Sequence, residues 1–297
     1  MEYKLDNNIL SIKIESIFEE TIQEFFDNYI PSKKIQHLLI QNKWIDLDSN
    51  PVKRESDIVG EYLRINIYPI INNYKKIDNK IDVIYEDEFI LIVNKPKDLI
   101  VHSDNENEIT LNKMVESYYS DKNYISCLPI HRLDKETSGL VLYSKSIIFQ
   151  PLLDKMLQDK EIRRTYLAFI EGNFKEESIN VDKAIGKDRH INNKYVVSEN
   201  GLSAFTKFRK IGFNNKDNYS VVKCSLESGR THQIRVHLKS LGYTILNDEI
   251  YGHKSNLCIR MGLFAQSISF FHPIIQENIE VEANLPNDLS KLYESIN

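Results

Sequence analysis

No two of the ten glycines in this chain of 297 residues lie closer than ten residues apart. Loops that cradle a phosphate need clustered glycines, because only a bare backbone can approach the anion closely enough. The spacing therefore excludes a GxGxxG dinucleotide turn and a P-loop, and with them the doubly wound folds built on those turns. The sequence also contains no HExxH, CxxC or GxSxG. Chemistry is left to carboxylate, phenol, imidazole or guanidinium groups acting directly, and no cofactor or metal is expected. Cys127, Cys224 and Cys258 are odd in number and far apart. They read as buried thiols of a reducing compartment, not as a disulfide framework or zinc site. No apolar run approaches the ~18 residues of a membrane span. The start of the chain, Met1 to Asp6, lacks the basic-then-apolar order of a secretory signal. A cytoplasmic protein without a membrane partner is expected, and a monomer.

Periodicity divides the chain. Residues 1–75 read as a small separate unit. Residues 19–29 have helical spacing, with Ile22, Phe25, Phe26 and Tyr29 on one face. Ser32 is placed to cap a second helix carrying Ile35, Leu38, Leu39 and Ile40. Residues 44–47 and 62–67 read as short strands, with a turn at 48–51. Residues 72–80 are polar and charged, as a linker would be. Beyond them, β-rich runs at 81–85, 89–94, 139–144, 165–170 and 219–226 alternate with helical patterns at 110–119, 147–158 and 231–241. Non-local strands with intervening helices predict an α+β unit over residues 81–297.

The net charge of −5 does not by itself suggest a polyanion partner. The distribution does: residues 183–239 hold twelve Lys/Arg against four Asp/Glu, a surplus of eight, so the remainder is strongly acidic. A basic stretch inside an acidic chain is what a local nucleic-acid site requires. A solvated surface with a charge fluctuation accounts for it equally well.

Three segments carry candidate chemistry. Residues 131–139 read His-Arg-Leu-Asp-Lys-Glu-Thr-Ser-Gly and run into the strand Leu-Val-Leu-Tyr. Thr, Ser and Gly there make a tight turn, which would set Asp134 at a strand end facing a cleft. The bland alternative is an Asx-turn in which the Asp134 carboxylate is occupied by backbone amides. Residues 229–237 read Gly-Arg-Thr-His-Gln-Ile-Arg-Val-His, with Thr231 as the expected N-cap. His232 and Arg235 are then three apart on one helix face, and Arg235 could turn its guanidinium fork to a carboxylate. The alternative is a solvated basic helix with His237 as a packing residue. Residues 163–172 read Arg-Arg-Thr-Tyr-Leu-Ala-Phe-Ile-Glu-Gly. In a strand, Arg164, Tyr166 and Ala168 share one face, or Tyr166 is merely half-buried in an amphipathic strand.

Together these segments resemble the RluA-type pseudouridine synthases. Residues 131–139 and 229–237 resemble the two signature motifs, and residues 163–172 the tyrosine motif between them. Asp87 to Pro96 resembles the family's entry into the catalytic domain. Asn247-Asp248, Tyr251-Gly252 and Phe271-His272-Pro273 resemble later segments. The resemblance covers about residues 80–280. It departs at Lys97-Asp98, where the family often has a glycine, at Ser103 in place of a proline, and at Asn247, where a glycine is usual. Loop conformations near the cleft are expected to differ there. The order helix, helix, strand, turn, strand in residues 1–75 resembles the S4-type RNA-binding module.

The resemblance implies a pseudouridine synthase fold with a mixed, mainly antiparallel sheet and flanking helices. It implies isomerisation of uridine in structured RNA, ribosomal RNA ahead of transfer RNA, without cofactor or metal. Asp134 is the implied catalytic carboxylate, Arg235 the group that keeps it charged and aimed, and Tyr166 the ring on the target base. Arg132, Arg164, Arg230 and His232 are candidates for RNA contact. Two other classes compete. A silent RNA-binding or ribosome-assembly protein would not need Asp134, Tyr166 and Arg235 together. A glycoside hydrolase would need a second carboxylate, for which Glu136 and Glu227 are the motif candidates.

Overall fold

The computed structural model describes residues 2–6, 9–13, 21–57, 62–67, 73–122 and 125–296. The chain opens with a hairpin, β1 (Glu2–Asp6) and β2 (Ile9–Lys13), in which Leu10 and Ile12 alternate inward. Helix α1 (Ile22–Tyr29) buries Ile22, Phe25 and Phe26, the face its spacing predicts. Residues 19 and 20 of the expected helix lie outside the described residues. Helix α2 (Lys33–Gln41) buries Leu39 and Gln36, and the Gln36 amide donates to the Ile30 carbonyl at 2.8 Å. Ser32 stands at the N-cap, but its hydroxyl makes no cap bond. Strands β3 (Ile45–Leu47), β4 (Asn50–Pro51) and β5 (Tyr62–Asn66) complete an antiparallel sheet ordered β1-β2-β5-β3-β4. The first hairpin thus adds two strands to the expected order. Residues 73–80 have no regular structure, and Ile77 exchanges hydrogen bonds with the Ser117 hydroxyl, at 2.8 and 3.1 Å; residue 72 lies outside the described residues.

A larger sheet follows. Its elements are β6 (Asp82–Glu86), β7 (Ile90–Lys95), α3 (Leu111–Tyr118), β8 (Leu128–Pro129), β9 (Ser138–Ser144), α4 (Gln150–Gln158) and β10 (Arg163–Glu171). Then come β11 (Ser178–Asp182), β12 (Ile185–Lys187), β13 (Tyr195–Val197), β14 (Phe205–Asn214), β15 (Tyr219–Leu226), α5 (Gln233–Ser240), β16 (Leu263–Phe271), β17 (Asn278–Glu282) and α6 (Asn287–Glu294). The sheet is ordered β11-β14-β15-β10-β16-β9-β7-β6, with β17 beside β16 and β8 beside β9, while β12 and β13 form a separate hairpin. Every pairing is antiparallel except β9 with β16. This is the mixed, mainly antiparallel α+β architecture that was expected. Strand β9 is buried along its whole length, which explains its unbroken apolar run: strands covered on both faces lose the polar alternation.

Gly139 sets the centre. Its φ is +117°, and a Cβ there would stand 2.2 Å from the Ala265 carbonyl oxygen. Only glycine lets β9 lie so close to β16 at that point. Ala265 is opposite Gly139 on one side and Tyr166 on the other. The end of β9 and the middle of β10 are therefore in line across one intervening strand.

Helix α5 begins later than the sequence implies. Thr231 is not its cap: His232 occupies that position with φ +57°, and the helix starts at Gln233. The Gln233 side chain imposes this. Its Oε1 accepts from Ser228 Oγ at 2.8 Å and from Arg230 N–H at 3.0 Å, and its Nε2 donates to the Phe205 carbonyl at 2.9 Å. The turn is closed by a buried amide inside the helix, not by a hydroxyl before it. His237 is the satisfied packing residue that the sequence allows: its ring meets Thr206 Oγ1 and the Lys183 carbonyl, both at 2.9 Å. The three cysteines are free and buried. The two sheets meet through the edge-on rings of Tyr3 and Phe89 and through Ser146 Oγ, which donates to the Ile67 carbonyl at 2.6 Å. Among the described residues, no helix is long and apolar enough to cross a membrane.

Two outcomes are expected from this packing. Gly139→Ala forces a backbone overlap at a positive φ and should cost on the order of 4 kcal/mol or more, read as a lower urea midpoint. His131 is buried behind β9, where its Nε2 accepts from Leu142 N–H at 3.3 Å. Burial pushes its pKa down to about 3, with Arg164 adding to the effect. The unfolded chain takes up this proton near the usual ~6.5 and the folded chain does so only far lower, so stability falls as pH drops between the two. That contribution approaches about 1.4 kcal/mol per pH unit. His131→Gln should remove one proton's worth of slope from unfolding free energies measured between about pH 6 and pH 4.

Candidate active site

The loop after Ile130 is closed by backbone. Thr137 N–H donates to the Asp134 carbonyl at 3.2 Å, so the main chain makes the turn and the carboxylate is left for the cleft. The Asp134 side chain is 24% exposed. Lys95, the last residue of β7, holds the same loop from beneath. Its ammonium donates to the carbonyls of Lys135 at 3.0 Å, Leu99 at 2.6 Å and Pro96 at 3.0 Å. Lys95 is fully buried, and burial lowers its pKa to about 8 against the upward pull of Asp134 and Glu136.

Arg235 reaches Asp134 from α5. Its Nη1 lies 3.5 Å from Asp134 Oδ2 and 3.8 Å from Glu136 Oε2. The rest of the fork is occupied by Asp248: Nε donates to Oδ2 and Nη2 to Oδ1, both at 2.8 Å. Asp248 Oδ1 also accepts the amides of Ile250 and Tyr251, each at 3.1 Å. The Arg235 and Asp248 side chains are 2% and 0% exposed. Burial works against the guanidinium charge, but the bonds and charge of Asp248, with Asp134 and Glu136, outweigh it and raise the Arg235 pKa. Asp248 was visible in the sequence only as half of the Asn247-Asp248 pair. The signal that could have found its role is that a buried arginine needs a buried bidentate partner.

Tyr166 and Arg164, two apart on β10, line the same pocket as Asp134, Arg235 and His232. Both are buried, and burial raises the Tyr166 pKa. The shared strand face read from the sequence therefore does bring ring and cation together. A β-bulge relative to β16 falls between Thr165 and Tyr166. The Arg164 fork packs against Gly229, where a Cβ would stand 3.0 Å from Nη1. The pocket opens into a cleft of about 990 Å³ lined by Arg132, Asp134, Arg164 and Arg230 among others. Arg132 and Arg230 are exposed at its walls, and Arg230 Nε donates to the Ser203 carbonyl at 3.0 Å. His232 sits elsewhere than on the basic rim. Its side chain is 11% exposed and its Nε2 is 3.9 Å from Asp134 Oδ2, inside the pocket. Glu227 lines the cleft and is paired with Lys160, 2.5 Å away.

The two departures at expected glycines have a common explanation. Asp98 has φ +61° and Asn247 φ +58°. These are the left-handed conformations a glycine would supply, and Asp and Asn are the side chains that tolerate them best. The backbone keeps a glycine-like path at both positions. Asn247 also bonds the Cys258 carbonyl at 2.6 Å and the Ser255 N–H at 2.6 Å.

The family described as RNA pseudouridylate synthase matches residues 89–240. An uncharacterized RNA pseudouridine synthase of Bacillus subtilis, YhcT, is 36% identical over 215 residues, covering 72% of this chain and 71% of that protein. Ribosomal large subunit pseudouridine synthase D of Neisseria meningitidis is 31% identical over 264 residues, covering 83% and 69%. Its namesake in Vibrio vulnificus is 28% identical over 314 residues, covering 99% and 95%. Among solved structures, human RNA pseudouridylate synthase domain containing 1 superposes with TM-score 0.59 at 24% identity, covering 70% of this chain and 84% of its own.

The buried pair yields a stability test. Asp248→Ala strands the guanidinium and should lower unfolding stability by about 3–5 kcal/mol. The double variant Arg235→Met/Asp248→Leu removes both charges and should regain most of that loss. Urea midpoints of the two variants and the parent check both statements.

Proposed function

The chain belongs to the RluA-type RNA pseudouridylate synthase family, and from that premise we propose that Asp134 is the carboxylate that carries its reaction on large-subunit ribosomal RNA. As an RNA pseudouridine synthase it exchanges a uridine N1–C1′ bond for a C5–C1′ bond. The exchange needs no redox change. It needs a group that traps sugar or base while the uracil turns. Attack at C1′, addition at C6 and removal of a ribose proton all begin from an ionised carboxylate.

The observation that carries this reading is the convergence of three separate segments on one pocket: Asp134 before β9, Tyr166 on β10 and Arg235 on α5. Arg235 stands 3.5 Å from Asp134 Oδ2 and limits its rotamers. Tyr166 offers a face on which uracil can stack and a phenol within reach of the C5 proton. A paired base must be swung out of its helix to enter, at a cost of a few kcal/mol. Arg132 and Arg230 on the cleft walls, with Arg164 deeper, suit the phosphates and the displaced base. His232 is the less suited of the four residues first considered for RNA contact, because it faces the carboxylate.

The ribosomal substrate is supported by the two relatives named as large-subunit synthases, one of which aligns over 99% of this chain. That alignment takes in the small N-terminal sheet. We assign residues 1–75 as an S4-like RNA-binding unit and residues 81–297 as the catalytic unit. Glu227 is held by Lys160, which leaves a glycoside hydrolase with Glu136 as its second acid.

The decisive experiment maps pseudouridines in RNA from cells lacking the protein and adds the purified chain to that RNA without additives. Isomerised uridine in large-subunit RNA is expected. Free uracil would indicate a glycosidase, and no change a silent binder. Asp134→Asn should abolish turnover. Arg235→Ala should lower kcat about a hundredfold with little loss of RNA affinity; equal losses in both would contradict its aiming role. Tyr166→Phe should lower kcat by about 10²-fold or more if the phenol moves the C5 proton, and full turnover would exclude that. Affinity should fall with salt, with a log–log slope of about −2 to −3 for three arginine–phosphate contacts.

A further inference from the structure

His232 holds a left-handed backbone, φ +57°, at the start of α5, which turns its ring into the pocket. Two tyrosine rings meet the imidazole edge-on, Tyr195 from β13 and Tyr251 from the loop after Asp248, each with centroids 5.6 Å away. The charged groups facing it are Asp134 and Glu136 from the loop before β9, Arg235 from its own helix and Asp248. Lys194 lies 5.8 Å and the Arg235 guanidinium 5.2 Å from the centre of the Tyr251 ring.

The protons around Tyr251 can be assigned. Its hydroxyl oxygen accepts the Tyr195 backbone N–H at 2.9 Å. An amide N–H cannot accept in return. The phenol's own proton is within reach of one acceptor, His232 Nδ1 at 3.0 Å, when that nitrogen is bare. A neutral imidazole has one accepting nitrogen and one N–H. With Nδ1 accepting, the proton is on Nε2, the atom that faces Asp134 Oδ2 at 3.9 Å.

We infer that Tyr251 is a positioning residue that holds His232 as the neutral Nε2–H tautomer, so that Asp134 faces an uncharged donor and not a second cation. The inference rests on the reading of Asp134 as the reacting carboxylate. Its physical content is a charge count. Asp134, Glu136, Asp248 and Arg235 together carry two net negative charges, and Arg235 is bound bidentately by Asp248. A neutral His232 leaves the Asp134 and Glu136 side of the pocket negative. A protonated His232 would place a second cation beside the Asp134 carboxylate, 3.9 Å from its Oδ2. Protonation would also make Nδ1 a donor and take from the phenol proton its acceptor on the imidazole. At 3.9 Å the His232–Asp134 contact is charge–dipole, beyond hydrogen-bond range. Burial lowers the His232 pKa, and Arg235 lowers it further against the upward pull of Asp134, Asp248 and Glu136.

Two measurements test this. In the parent chain, nitrogen-15 NMR of labelled histidines should show His232 with a protonated Nε2 and a bare Nδ1 at pH 7. A ring protonated on both nitrogens, or on Nδ1 alone, overturns the inference. The second reads kcat against pH on total RNA from cells lacking the protein. Tyr251→Phe keeps the ring beside Arg235 and loses only the hydroxyl. Burial and Arg235 still hold the His232 pKa down, but with no donor on Nδ1 it lies above the parent's, so the variant's kcat relative to the parent should fall as pH drops from 8 to 6. In Tyr251→Phe/His232→Gln, a glutamine amide takes the place of Nε2–H and does not titrate, so that fall should vanish. A ratio constant with pH overturns the inference, because a purely structural tyrosine lowers kcat equally at every pH. The reading of Asp134 fails separately, through an active Asp134→Asn. An inactive Asp134→Asn with the wrong tautomer sinks only the role of Tyr251.

Discussion

The guanidinium of Arg235 joins two loops that the chain makes far apart. Two of its nitrogens are bound by Asp248, whose own carboxylate is fixed by the amides of Ile250 and Tyr251. The remaining Nη1 is thereby pointed at Asp134, 3.5 Å away. A buried ion pair contributes little net stability, since desolvating both partners costs about what their attraction returns. What such a pair supplies is direction: a planar fork held on one edge cannot swivel on the other. The short bonds go to Asp248 and the long one to Asp134, which suits the reacting role proposed for that carboxylate.

Backbone register does for Tyr166 what Arg235 does for Asp134. Gly139, Ala265 and Tyr166 stand in line on three neighbouring strands. The missing side chain at 139 sets the closeness of the first pair. Lys95 then ties the loop ahead of β9 to the end of β7 through three carbonyls. The pocket joins residues of one sheet and of α5 to the two loops that precede β9 and α5. The exposed arginines are on its walls, where a flexible polyanion can be met without disturbing that frame. The Arg164 side chain, buried against Gly229, belongs to both parts.

The sequence by itself determined the elements whose period is strong and local. The apolar faces of α1 and α5, the unbroken run of β9 and the strand over Tyr219–Leu226 all follow from spacing. Motif resemblance brought Asp134, Tyr166 and Arg235 forward as one set, and the fold gathers them in one pocket. Strands β11 to β14, β16 and β17 were not legible in the same way: the short ones carry weak alternation, and even the long interior β14 and β16 are stabilised by partners distant in sequence. The tertiary structure alone decided the start of α5, where a buried glutamine overrides an apparent threonine cap. It alone placed Asp248 under Arg235, and it turned His232 from the rim toward the carboxylate. These are matters of which polar group finds which partner once water is excluded. No spacing along a chain encodes that, since the partners are brought together only by the packing of the sheet.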